Sequence, residues 1–315
     1  MNNIITKVSF IIIKKFSIKQ RIDNFLINKF KNVPKSKLYN IIRKGRIRIN
    51  KKRVKARYKL KIGDKIRIPP LKINYIKKKK ISINTYLKKK ILKNILYEDN
   101  LLMILNKPSG LSVHGGSGID FGIIEILRIL KPKNKYLELI HRLDRYTSGI
   151  LMIAKKKSSL RYFHEQFRNK LIKKTYISLV HGNFLLKKKI VNNSLLKNNN
   201  VYKKKMVYIN DQGKSSKTLF KIKKNTILYS FLKIIPFTGR THQIRVHSAY
   251  LGHPIIFDNR YGNNFLDKKI KEKKIKKTLF LHARKIIFFH PKLKKKIIIK
   301  APIKKNFKNA IKYLF

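Results

Sequence analysis

Eighty Lys and Arg residues against thirteen Asp and Glu leave this 315-residue chain with a formal charge of +67, and any fold it adopts has to tolerate that excess. Like charges at this density repel one another as the chain compacts unless a polyanion neutralises them, which points to nucleic acid as a partner. Charge does not decide the matter alone. Lys, Ile and Asn dominate the composition, as in products of very A/T-rich genomes, and such a bias spreads Lys over any surface. The Arg residues say more, because several sit in short local patterns and not in homopolymeric runs. Apolar residues make up 43% of the chain, enough to pack one large domain or two smaller ones. The absence of Cys removes thiol nucleophiles, disulfides and Cys-based zinc sites. The nine His include no His-Glu-x-x-His or similar ligand pair, so no metal site is expected. The apolar run at 8–13 is too short to span a membrane and lacks a small-residue cleavage pattern, so a first strand and a cytoplasmic protein are expected.

Periodicity divides the chain. After Arg21, Ile22, Phe25, Leu26 and Phe30 share one helical face. Pro34 and Ser36 open a second short helix, with Leu38, Ile41 and Ile42 inward and Gly45 as its stop. Alternation at 46–49 predicts a strand, and 58–62 with 65–68 predict a hairpin turned at Gly63-Asp64 and ended by Pro69-Pro70. Residues 1–20 are then an N-terminal strand or extension, 21–70 a small module, and 71–94 a solvated basic linker carrying the lysine block 77–80. From 95 to 315 the pattern alternates: strands at 101–105, 149–154, 175–180, 218–223, 226–235 and 279–290, and helices at 160–171 and 241–251, the latter stopped by Gly252. Strands outnumber helices, so the expected fold class is α+β. The Asn/Lys-rich stretch 186–207 reads as an exposed insertion.

Three segments bear chemistry. His-Arg-Leu-Asp-Arg-Tyr-Thr-Ser-Gly at 141–149 lies directly before a buried strand, where a rigid sheet can position a polar loop. Arg142 and Arg145 flank Asp144 with cations that favour the carboxylate, although an ordinary turn with surface ion pairs has the same look. Thr-Gly-Arg-Thr-His-Gln-Ile-Arg-Val-His at 238–247 runs from a polar loop into a helix start. There Arg240, His242 and Arg245, with the free N–H groups of that start, suit a phosphate or a carboxylate. The plainer reading is an N-cap at Thr241 with solvated Arg residues. In Lys-Lys-Thr-Tyr at 173–176, Tyr176 shares a strand face with Ser178 and Val180, and it either stacks on a base or fills the core. Gly110, Gly115, Gly116 and Gly118 around His114 match neither phosphate-binding fingerprint and are expected to form a flexible loop near the site.

Together these segments resemble the RluA-type pseudouridine synthases. His-Arg-Leu-Asp-Arg at 141–145 with Thr-Ser-Gly at 147–149 looks like their catalytic motif, Gly-Arg-Thr-His-Gln-Ile-Arg-Val-His at 239–247 like a second signature, and Leu-His-Ala at 281–283 like a third. Lys-Pro-Ser-Gly-Leu-Ser-Val-His-Gly-Gly at 107–116 matches the segment that precedes the catalytic loop. Residues 21–68 are similar to an S4 RNA-binding domain, above all at Arg-Ile-Asp-Asn-Phe (21–25) and Arg-Lys-Gly-Arg (43–46). The resemblance covers the chain apart from 71–94 and 186–207, and it implies a small S4-like module followed by a catalytic domain, 95–315, built on a mixed, mainly antiparallel sheet with flanking helices. It implies that Asp144 is the catalytic aspartate, Arg245 its buried ion-pair partner, and Tyr176 the active-site tyrosine that packs on the target uracil and is a candidate for proton transfer. Arg142 would fill the gap left when the uridine flips out, and Leu281 would line the uracil pocket. Arg240, His242 and His114, with Arg43, Lys44 and Arg46 in the S4-like module, are counted as RNA-contacting. Tyr146 stands where relatives usually carry a polar residue, which bears on local RNA contacts and not on the chemistry. The implied substrate is 23S ribosomal RNA of the large subunit. Isomerisation involves no net redox change or hydrolysis, so no cofactor is expected, and no membrane or protein partner is implied for what is expected to be a monomer.

Other readings compete. A synthase of the same family aimed at other rRNA uridines or at tRNA would carry the same motifs. A non-catalytic RNA-binding or ribosome-assembly protein would explain the S4-like module and the charge, but not the set Asp144, Tyr176 and Arg245. A hydrolase using Asp144 and His141 would need a Ser nucleophile elbow or a carboxylate pair, and neither motif is present.

Overall fold

The chain divides into two units, and the first, Met1–Lys80, runs β1 (Asn3–Ile5), β2 (Ser9–Ile12), α1 (Ile22–Lys29), α2 (Lys35–Arg43), β3 (Arg48–Ile49), β4 (Lys52–Arg53), β5 (Lys65–Ile68) and β6 (Lys72–Asn74). The computed structural model describes residues 3–14, 17–30, 32–74, 83–116, 121–198, 206–270 and 275–315. The helical spacing places Ile22 and Leu26 of α1 and Leu38, Ile41 and Ile42 of α2 in one core with Ile47, Ile49, Ile66 and Ile68. Those strand residues belong to, or lead into, a sheet of order β2-β5-β3-β4. Gly45 ends α2 at φ +66°, and Arg43, Lys44 and Arg46 around it are exposed.

Two expectations fail here. Residues 58–62 do not pair with 65–68, because β2 and β3 occupy the two edges of β5. The Asp64 carboxylate instead gathers Lys61 N at 2.8 Å, Tyr58 Oη at 3.2 Å and Asn50 Nδ2 at 3.0 Å, folding the preceding chain into a turn. The basic stretch 71–94 is not uniformly solvated chain. β6 pairs antiparallel with β1, and Asn84 caps a helix at Thr85–Leu92 by accepting from Tyr86 N at 2.8 Å, with Ile91 buried. The lysine block 77–80 lies outside the described residues.

The second unit, Ile81–Phe315, contains α3 (Thr85–Leu92), β7 (Ile95–Glu98), β8 (Leu102–Lys107), α4 (Ile123–Leu130), β9 (Glu138–Leu139), β10 (Ser148–Ala154), α5 (Lys157–Arg168), β11 (Lys173–His181), β12 (Lys188–Asn192), β13 (Leu195–Asn198) and β14 (Met206–Ile209). It continues with β15 (Lys217–Asn225), β16 (Tyr229–Pro236), α6 (Gln243–Tyr250), α7 (Asn264–Lys268), β17 (Leu281–Phe289), β18 (Lys296–Lys300) and α8 (Lys305–Leu314). One sheet runs β12-β15-β16-β11-β17-β10-β8-β7, with β18 on β17 and β9 on β10. Among the described residues its pairs are antiparallel except β10 with β17, so the sheet is mixed and mainly antiparallel, with helices packed on it. The continuous apolar runs at β8 and β10 are buried on both faces, as such runs require. Ile123 and Leu127 of α4 and Phe163 of α5 pack against those strands. Ile244 of α6 packs on Phe220, Leu232, Ile234 and Leu281, while Phe307, Ala310 and Leu314 of α8 pack with Ile177, Leu179, Phe231 and Phe280.

The stretch 186–207 is a correction as well. β12 forms an edge of the large sheet against β15, and β13 and β14 make a hairpin, with Val191, Leu195 and Val207 buried. Each of these strands buries few side chains, so Lys and Asn at the remaining positions hide the alternation. Residues 199–205 lie outside the described residues.

The parallel pairing sets Ser148 and Gly149 beside His282 and Ala283. Gly149 sits at φ +105°, and a Cβ there would run into the backbone of Ala283. Gly149→Ala is therefore expected to lower unfolding free energy by roughly 2–5 kcal/mol from backbone strain plus steric overlap. Urea denaturation measures this, and a loss below about 1 kcal/mol would show that the strand contact tolerates a side chain.

Candidate active site

The loop before β10 carries Asp144, whose side chain is 29% exposed and whose Oδ2 receives Arg245 Nη1 at 3.3 Å. Arg245 is delivered from the buried face of α6. Its other donors grip a second carboxylate: Nε and Nη2 reach the two Asp258 oxygens at 2.8 and 2.6 Å. Burial works against the Arg245 charge, but the hydrogen bonds and charge of Asp258, aided by Asp144, carry its pKa above the ordinary guanidinium value. Burial likewise opposes the Asp258 charge; Arg245 and the backbone N–H groups of Arg260 and Tyr261 outweigh it and hold the carboxyl below the usual range. Arg245 thus meets Asp144 as the resemblance implies, yet its principal ion pair is with Asp258.

His242 stands at the N-cap of α6 in a left-handed conformation, φ 55°, one residue past the cap expected at Thr241. Its Nε2 lies 3.9 Å from Asp144 Oδ2, and its Nδ1 lies 2.8 Å from Tyr261 Oη. Val207 N already donates to that phenol oxygen at 3.0 Å. Burial raises the Tyr261 pKa, so the phenol keeps its proton, and His242 Nδ1 is the acceptor within reach. The imidazole then presents Nε2–H to Asp144. Burial also lowers the His242 pKa, opposed in part by the Asp144 charge.

Tyr176 projects from β11 on the face shared with Ser178, half-buried. Burial and then the Asp144 charge push its phenol above the ordinary range, so it is a proton donor or stacking face and not a base near neutrality. Leu281 is buried opposite Ser178 across the β11–β17 pair, in the cluster that Tyr176 adjoins. Ser148 Oγ lies 2.9 Å from His282 Nδ1.

The backbone of this loop is held by residues 107–111. Lys107 is fully buried, and its ammonium donates to the carbonyls of Pro108, Leu111 and Arg145 at 2.9, 2.8 and 2.9 Å. Burial pushes its pKa down to about 7, against the pull of the Asp144 charge. Gly110 N donates to Arg145 O at 3.0 Å, Arg145 Nε to Gly110 O at 3.0 Å, and Ser109 Oγ to Tyr146 O at 2.6 Å. Tyr146 itself is 38% exposed beneath the Arg145 guanidinium.

Other residues singled out from the sequence fall around this centre. Arg142 is exposed, and its guanidinium makes no hydrogen bond among the described residues, while its backbone takes one from the His141 ring. Arg240 is tied down, its Nε donating to Ser215 O at 3.1 Å, while Gln243 Oε1 accepts from Arg240 N and Thr238 Oγ1. His114 is exposed in the glycine-rich loop, which folds onto the start of α4 where Glu125 accepts from Gly115 N and Gly122 N. Gly118 lies outside the described residues. Arg43, Lys44 and Arg46 belong to the first unit. His141 accepts from Met152 N at 3.1 Å, and burial with the Lys174 charge lowers its pKa to about 4, so it serves the sheet and not acid–base chemistry.

Residues 101–250 match the model of the RNA pseudouridylate synthase family, and residues 20–66 match that of the S4 domain. The chain is 54% identical to Ribosomal large subunit pseudouridine synthase C of Buchnera aphidicola subsp. Schizaphis graminum over 98% of both proteins. It is 48% identical to the protein of that name from Vibrio cholerae, covering 99% of this chain and 98% of the relative. This chain belongs to the RNA pseudouridylate synthase family. The fold agrees: the solved structure of Human RNA Pseudouridylate Synthase Domain Containing 4 superposes with a TM-score of 0.60 at 25% identity, covering 73% of this chain and 95% of that one.

In this synthase the residues that sequence reasoning missed are Asp258, Tyr261 and the internal role of Lys107. A weak signal exists for the first two, since an Asp followed by Asn-Arg-Tyr-Gly can fold back on its own backbone; nothing local ties them to Arg245. Removing Asp258 strands half of a buried guanidinium. Asp258→Ala is expected to cost about 3 kcal/mol of stability or more, whereas Asp144→Ala, which leaves the tighter pair intact, should stay within about 1 kcal/mol. Equal losses in chemical denaturation of the two variants would contradict the division of labour drawn here.

Proposed function

We propose that this chain converts uridine to pseudouridine in 23S ribosomal RNA of the large subunit, with Asp144 as the catalytic carboxylate. In that reaction the C1′–N1 bond breaks, the base turns, and a C1′–C5 bond forms while the C5 proton is lost and N1 gains one. The observation that carries the reading is the Asp144 carboxylate held partly open to solvent on Arg245, beside Tyr176, in a chain of this family. The names of the relatives support the large-subunit target.

A uridine inside folded RNA has to leave the stack to reach such a loop, at a cost of a few kcal/mol. Arg142, exposed and unengaged at the loop's edge, fills the gap. Tyr176, kept protonated, packs on the flipped uracil, and Leu281 walls its pocket. Arg245 stabilises the Asp144 carboxylate through the reaction, His242 offers it an N–H, and Arg240 and His114 contact the RNA. Residues 21–70 form the RNA-binding module with Arg43, Lys44 and Arg46 on the phosphates, and 95–315 the catalytic domain. Among the described residues no helix is long and apolar enough to cross a membrane; we place the protein in the cytoplasm, as a monomer acting on the large-subunit precursor.

The test is complementation. Expressed in a bacterial host that lacks its own large-subunit synthase C, the chain is expected to restore the missing 23S pseudouridines, mapped by carbodiimide modification and primer extension. New pseudouridine in tRNA alone, or only at 23S positions other than the missing ones, would reject the target assignment.

A further inference from the structure

Lys107 and Lys174 are both drawn toward the interior of the second unit, and their ammonium groups differ in what they touch. Lys107 is saturated: its three donors each meet a carbonyl at 2.8–2.9 Å. Lys174 on β11 is half-buried, and its one hydrogen bond among the described residues is to Thr238 O at 3.4 Å, the far edge of the range. Its Nζ lies 5.7 Å from the ring centre of Phe167, and a Cβ built on Gly239 would sit 3.7 Å from it. No acidic side chain pairs with it among the described residues. Burial pushes its pKa down to about 8. An ammonium so placed has given up much of its water for one long hydrogen bond and one ring contact, which leaves donors open to an anion.

Its position says which anion. Lys174 and Tyr176 are two residues apart on one strand, and so share a face. The Lys174 charge reaches His141, where the loop bearing Arg142 and Asp144 begins. Thr238 and Gly239 open the segment that leads to His242 and Arg245. Lys174 therefore stands, half-open, between His141 at the start of one loop of the site and Thr238-Gly239 at the start of the other.

We propose that Lys174 is an anion-binding residue of the site, taking a non-bridging oxygen of the RNA phosphate next to the flipped uridine. The proposal rests on the RNA reading above. A backbone phosphate held there fixes the strand while the base leaves it, and a compact ammonium suits that point charge.

The experiment uses the full chain carrying Asp144→Asn, so that binding is read without turnover, and a large-subunit RNA fragment containing a mapped target uridine. Adding Lys174→Met is expected to reduce the slope of log affinity against log salt by about 0.7–0.9, the signature of one lost phosphate contact, and Lys174→Arg to restore it. Replacing single phosphates beside the target with methylphosphonates should weaken binding about tenfold at one position in the Lys174 protein and not further in the Lys174→Met protein. Lys174→Gln, close in size and neutral, serves as a second variant if the Met form does not fold, with thermal unfolding as the check. An unchanged salt slope together with equal methylphosphonate losses in both proteins would overturn the proposal. Turnover of the same fragment by the wild-type chain is read separately: its absence sinks the RNA reading, whereas turnover with an indifferent Lys174 sinks this inference alone.

Discussion

A guanidinium buried as Arg245 is cannot persist without carboxylates around it, because the loss of hydration is several kcal/mol for each ion. Two carboxylates meet that need unequally. Asp258 takes two parallel hydrogen bonds and is itself sealed from solvent, while Asp144 takes one longer bond and stays partly open. The asymmetry lets one aspartate secure the fold and leaves the other available to a substrate. The same Asp258 Oδ1 accepts from Arg260 N and Tyr261 N, which sets Tyr261 against His242, and His242 against Asp144. Tyr261 also takes Val207 N, so the hairpin of β13 and β14 is tied to the same network. Arg245 is the point from which these contacts are ordered.

The loop on the other side is held by backbone contacts. Lys107 uses all its donors on carbonyls, one of them Arg145 O immediately after Asp144, and Gly149 lets β10 approach β17 closely enough to fix where the loop ends. Asp144 is thus suspended between a saturated ammonium on one strand and a parallel strand contact on the next. In a chain with so large an excess of basic residues, most of those among the described residues lie on the surface. Lys107, Lys174 and Arg245 are informative because they are drawn in, and each one's role follows from how many of its donors find acceptors.

Much of this was legible in the chain itself. Strands at 101–105 and 149–154 could be read because both faces are buried and the runs are continuously apolar. The loop at 141–149 and the helix that carries Arg245 announced themselves through polar clusters set against apolar periodicity. The bonds that hold the site did not. Asp258 lies in a stretch that reads as a surface turn, and its partnership with Arg245 arises only when that turn packs under α6. Lys107 reads as the residue that ends a strand, since nothing in sequence counts carbonyls. His141 stood out as chemistry and proved to be a strand acceptor, because burial depends on what covers the ring. The edge strands within 188–209 were hidden by lysine and asparagine on their exposed sides, and the hairpin expected at 58–68 lost to pairing with β2, a segment some fifty residues earlier whose approach no local pattern encodes.

The central claim is that Asp144 performs the chemistry while the rest of the site positions RNA around it. Its most direct measurement compares the purified wild-type chain with Asp144→Asn on a large-subunit ribosomal RNA transcript, scoring pseudouridine formation and RNA affinity in the same samples. The expected result is turnover by the wild type, and undiminished binding without any pseudouridine from the variant. Continued modification by Asp144→Asn would contradict the account.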